Sequence, residues 1–77
     1  MTALGGSGRW PRRQAAGRVR MHRDRLRLTQ EAFADVMGCS TVLVRSWERG
    51  VRWPSRMAEK YMGRLVAEAA EQERNDG

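Results

Sequence analysis

Fourteen arginines against a single lysine dominate the chemistry of this chain, and their placement points to anion recognition rather than to bond making. A guanidinium presents a planar fork that meets a phosphate or a guanine edge through two hydrogen bonds, where an ammonium acts as a point charge. Between residues 1 and 27 eight arginines face Asp24 alone, whereas between residues 57 and 77 three basic side chains face Glu59, Glu68, Glu71, Glu73 and Asp76. With a net charge of +6 and a pI near 11.2, the chain has one end suited to a polyanion. The groups that catalysis or metal binding would need are sparse. Cys39 and His22 fall in different segments with no third group to orient them, so they do not read as a nucleophile and its base. One cysteine rules out an internal disulfide and a zinc cluster of several thiolates. No enzymatic activity, metal or cofactor is expected.

These arginines must be held by a small scaffold. Seventy-seven residues amount to one domain, which buries only about 60% of the surface its unfolded chain exposes. The composition, 40% hydrophobic and 31% charged, is that of a globular domain. No apolar run approaches the roughly 20 residues that cross a bilayer, and the first residues lack a signal-peptide core, so a cytoplasmic location is expected.

The hydrophobic spacing predicts an all-α fold of about four helices. Residues 1–13 carry glycine, serine and a Trp10-Pro11 step without periodicity, and are expected to form a flexible basic arm bearing Arg9, Arg12 and Arg13. Ala15, Val19, His22 and Leu26 then mark one face of a helix over about residues 12–27, with arginines on its other faces and His22 half-buried in the stripe. Thr29 is placed to cap a second helix, Glu31 sits favourably in its first turn, and Gly38 can supply the left-handed residue that ends it. Phe33, Val36 and Met37 are its apolar positions, and Ala34 is small enough for a neighbouring helix to approach. Ser40 caps a third helix that Gly50 closes. Ser55 caps a fourth, in which Ala58, Tyr61, Met62, Leu65, Val66 and Ala69 keep helical spacing. The folded domain is expected over residues 14–71, and an acidic tail over 72–77 is expected to fray. No alternating strand pattern and no repeat is present.

Two short helices joined by a glycine-containing turn, over residues 29–50, satisfy the demands of a helix-turn-helix, whose second helix can lie in the major groove of B-DNA. Ala34 must be small where the helices cross, Gly38 must tolerate the turn, and Val44 and Trp47 must anchor the second helix from beneath. Thr41, Val42, Arg45, Ser46 and Arg49 then point away from the anchor.

The segment TQEAFADVMGCSTVLVRSWERG resembles the helix-turn-helix of the Cro/lambda-repressor (XRE) superfamily, and LRLTQ before it resembles the lead-in of that family. WERGVRWPSRMAEKYMGRL resembles more narrowly the end of small HigA-type antitoxins and single-module operon repressors. The resemblance implies a lambda-repressor-like domain that binds double-stranded DNA as a homodimer on a palindromic operator and represses transcription, associated with the nucleoid. It implies base reading by Thr41, Val42 and Ser46, with Arg45 on the same face. By type, Arg45 suits a guanine and Val42 a thymine methyl. Gln30 matches a glutamine that contacts phosphate at the start of the second helix. Ser40, Arg49, Arg52 and Arg56 are expected near phosphates, and Arg23 and Glu48 match a structural salt bridge. The usual domain of the family has five helices; this chain has residues for four and a short acidic end, which leaves the usual dimer contact open.

Other readings stand beside this one. The basic arm either enters a minor groove or merely tethers the protein. Trp53 either stacks on bases or packs over its loop, and Trp10 has no assignment from sequence. An antitoxin that chiefly neutralises a partner toxin is the alternative function, and the exposed third-helix residues favour DNA over it.

Overall fold

A computed structural model describes residues 10–76 and shows four helices in the order expected: α1 (Arg12–Arg25), α2 (Gln30–Met37), α3 (Thr41–Glu48) and α4 (Arg56–Asp76). The described residues contain no strand. The fold class read from the sequence, an all-α domain of lambda-repressor type, is the one observed.

Short polar side chains start the later helices as the sequence implies. Thr29 Oγ1 accepts from the Ala32 amide at 3.1 Å, Ser40 Oγ from Leu43 at 3.1 Å, and Ser55 Oγ from Ala58 at 3.1 Å. Each satisfies one of the amides that a helix start leaves without a partner, a contribution of about 1 kcal/mol. Helix α1 has no such cap; it begins behind Pro11, whose fixed φ suits a helix start.

Helices α1, α2 and α3 end alike. In α2 the amide of Gly38 reaches the Asp35 carbonyl and that of Cys39 reaches Ala34, with Gly38 left-handed at φ 73°. In α3 the Gly50 and Val51 amides do the same to Trp47 and Ser46, with Gly50 at φ 76°. This paired closure satisfies the last carbonyls of a helix and suits glycine at the left-handed position. In α1 the position is held by Arg27, at φ 58°, while the Arg27 and Leu28 amides bond Asp24 and Arg23.

The core lies where α1, α2, α3 and the first half of α4 meet. Val19, Phe33, Val44 and Met62 are fully buried, joined by Ala15, Ala34 and Trp47. Small Ala34 lets α2 and α3 approach, as the spacing requires.

Two boundaries differ from the sequence expectation. Arg12 and Arg13, assigned to a flexible arm, form the first turn of α1, and Trp10 before them is a core residue. The physical reason is long-range: the Trp10 amide donates to Glu59 Oε1 of α4 at 3.3 Å, and its ring lies against His22, centroids 5.1 Å apart. At the other end α4 continues through Asp76, past residue 72 where the tail was expected to begin. Arg9 and the rest of the arm, residues 1–9, lie outside the described residues.

Candidate nucleic-acid interface

Helix α3 owes its stance to the two side chains beneath it. Val44 is fully buried and Trp47 nearly so, three residues apart on one face, and they press α3 onto α1 and α2. The opposite face is therefore turned outward: Val42 is 70% exposed, Arg45 and Arg49 are exposed, and Thr41 and Ser46 are half-buried at its margins. An exposed valine beside an exposed arginine on a narrow two-turn helix is the arrangement that can meet a thymine methyl and a guanine edge.

The polar residues of this face do not all have free hydrogen-bonding groups. Ser46 Oγ donates to the Val42 carbonyl at 3.0 Å, so only its lone pairs face outward. Ser40 Oγ is occupied as an acceptor by its capping bond, which leaves its hydroxyl proton to offer an oxyanion. Around the helix, Arg49 caps the C-terminus of α3, Arg52 lies in the following loop and Arg56 opens α4; all three are exposed. Arg12 of α1 lies over the Trp53 ring at 5.8 Å and ties that loop to the start of the first helix.

A charged network fixes α3 from behind. Arg23 Nε donates to Glu48 Oε2 at 2.7 Å and its Nη2 to Oε1 at 3.1 Å, a two-pronged pair linking α1 to the end of α3. Arg23 Nη1 also donates to the Leu28 carbonyl at 3.1 Å, bracing the turn before α2. Glu48 is 7% exposed. Its hydrogen bond with Arg23 is the main cause that holds the guanidinium above its ordinary pKa, against the opposing effect of burial. Arg20, which the spacing did not single out, donates through Nη2 to the Glu48 carbonyl at 2.9 Å. Nothing in residue type distinguishes Arg20 from its neighbouring arginines; only its place on the face of α1 toward α3 does.

Gln30 occupies the first turn of α2 and is half-buried. Expected at a phosphate, it is engaged within the protein: Nε2 donates to Glu48 Oε1 at 3.2 Å, and Oε1 accepts from Arg45 Nε at 3.3 Å.

His22 is engaged within the fold, and Cys39 is a free, partly buried thiol. His22 Nδ1 donates to the Arg18 carbonyl at 2.7 Å, and its ring packs on Trp10. Burial pushes the Cys39 thiol up from its ordinary pKa, away from the reactive thiolate. Among the described residues there is no group of three or more His, Cys, Asp or Glu placed to hold a metal, and no helix long and apolar enough to cross a membrane.

Comparison with known proteins agrees with this geometry. The sequence profile of a family described as helix-turn-helix matches residues 19–57, just over half of the chain, from the middle of α1 through α2 and α3 to the start of α4. No curated protein and no solved structure matches the chain.

Proposed function

Because the chain belongs to the helix-turn-helix family of Cro/lambda-repressor (XRE) type, a family of DNA-binding regulators, we propose that it recognises a specific duplex sequence by inserting the outer face of α3 into the major groove. The observation that carries this reading is the outward stance of α3, with Val42 70% exposed beside Arg45 while Val44 and Trp47 are buried beneath. Thr41, Val42, Arg45 and Ser46 read bases. Ser40, Arg49, Arg52 and Arg56 contact phosphates on either side, with the amides at the start of α2 turned to the same backbone. Arg12 and Arg13, now the first turn of α1, are further phosphate contacts. The net charge of +6 suits an anionic duplex, and a nucleoid-associated, cytoplasmic location goes with that partner.

The protein acts as a homodimer on a pseudo-palindromic operator, repressing its own operon. A single module of this size buries little surface on DNA, and two half-sites one helical turn apart supply the rest. Support for a protein contact comes from an apolar groove of about 410 Å³ between the helix-turn-helix and α4, lined by Met37, Leu43, Trp47, Met57, Ala58 and Tyr61. Met57, 77% exposed, stands at its edge. The same groove is what favours a second reading, an antitoxin that binds a toxin there.

Selection of bound sequences from random duplexes tests the proposal. Enrichment of an inverted repeat is expected, with retardation of that duplex in a gel. Failure to retard any double-stranded DNA, combined with tight capture of a protein encoded beside it, would favour the second reading.

A further inference from the structure

We propose that Gln30 is a positioning residue for sequence readout, aiming Arg45 at its base through the buried Glu48. This rests on the reading that α3 enters the major groove. The orientation of the Gln30 amide is dictated chemically. Its Nε2 lies 3.2 Å from Glu48 Oε1, an oxygen that already accepts from Arg23 Nη2, so the amide nitrogen must face it. Oε1 is thereby turned to Arg45, whose Nε only donates, at 3.3 Å. A flipped amide would set oxygen against carboxylate and N–H against guanidinium. Glu48 is itself immobilised by the two-pronged bond to Arg23. The chain from half-buried Arg23 through buried Glu48 and half-buried Gln30 thus ends at exposed Arg45, each link leaving the next one orientation.

The consequence lies at the exposed end. Gln30 takes only the Nε–H of Arg45, which leaves both terminal nitrogens available to form the fork that meets guanine O6 and N7. A guanidinium held this way loses less rotamer freedom on binding than a free one. Base preference at one position of the operator therefore depends on a residue that need not touch DNA.

The test is the set of sequences enriched from random duplexes by the full chain, by Gln30→Met, by Gln30→Ala and by Arg45→Ala. Gln30→Met keeps the length of the side chain and removes both hydrogen bonds. We expect Gln30→Met and Gln30→Ala to flatten preference at the base pair that Arg45→Ala flattens, by about tenfold in discrimination, with affinity for random duplex retained. The double variant Gln30→Met/Arg45→Ala should be no worse there than Arg45→Ala alone. Equal loss on every duplex, random ones included, would identify a phosphate contact and overturn the inference alone. A parent chain that enriches no sequence would overturn the functional reading and the inference with it. A readout free of variants is the ¹⁵N relaxation of arginine Nε in the unbound protein. Arg45 should be more ordered than exposed Arg52, and equal mobility would contradict the proposal.

Discussion

At the residue scale, the same α3 face holds side chains with separable duties. Arg45→Ala is expected to relax preference at one base pair, at a cost of about 1–3 kcal/mol on the preferred sequence. Arg52→Ala should weaken all duplexes alike and lower the salt dependence by about one unit of slope, as loss of a single phosphate contact does. Titrations of specific and random duplex over a range of salt separate the two; identical losses would show the roles misassigned. Glu48 belongs to a different class. Removing it strands Arg23, whose side chain is only 18% exposed, so Glu48→Ala should cost about 3–5 kcal/mol in urea unfolding. The sequence made Arg23 and Glu48 legible through the resemblance, because their types and positions match a known pair. It did not reveal that Gln30 joins them, since a glutamine at a helix start suits an outward phosphate as well as an inward carboxylate. The deciding fact, a carboxylate held 3.2 Å away, exists only once α2 and α3 have docked.

At the scale of elements, caps and glycines were readable because their roles are local. Thr29, Ser40 and Ser55 each take an amide three residues on, and Gly38 and Gly50 each take a left-handed turn. The end of α1 was less legible: Arg27 fills the position that glycine fills after α2 and α3, held there by the Leu28 amide on Arg23 and by Arg23 Nη1 on the Leu28 carbonyl. The glycine sites and the arginine site should respond differently to substitution. A Cβ at Gly38 would meet nothing within 4 Å, so the cost of Gly38→Ala is the left-handed backbone alone, about 1–2 kcal/mol. Arg27→Gly should change stability by less than about 0.5 kcal/mol, because relief at φ 58° offsets the added freedom of the unfolded chain. Thermal melts of both variants check the contrast; a large loss for Arg27→Gly would mean that its side chain matters more than its backbone.

At the scale of the whole molecule, the fold brings residues 10 and 59 together, and this is what local reading could not supply. Trp10 follows a stretch of glycine and serine without periodicity, so nothing near it announced a core residue. Its burial against His22 and its amide bond to Glu59 arise from packing between the first helix and the fourth. Trp10→Ala should destabilise the domain by about 3 kcal/mol in urea unfolding, where a residue in a flexible arm would show no change. The charge asymmetry is also a property of the whole. The acidic end of α4 lies against the end of α1, where Arg27 Nη2 comes within 4.0 Å of Glu73 Oε2. The most direct test of the central claim is amide chemical-shift mapping of the full chain titrated with the duplex enriched by selection. The largest shifts should fall on residues 40–49 and at the start of α2, with the amides of residues 64–74 little changed by the DNA itself. Shifts confined to α4, with α3 unmoved by a bound duplex, would contradict the account.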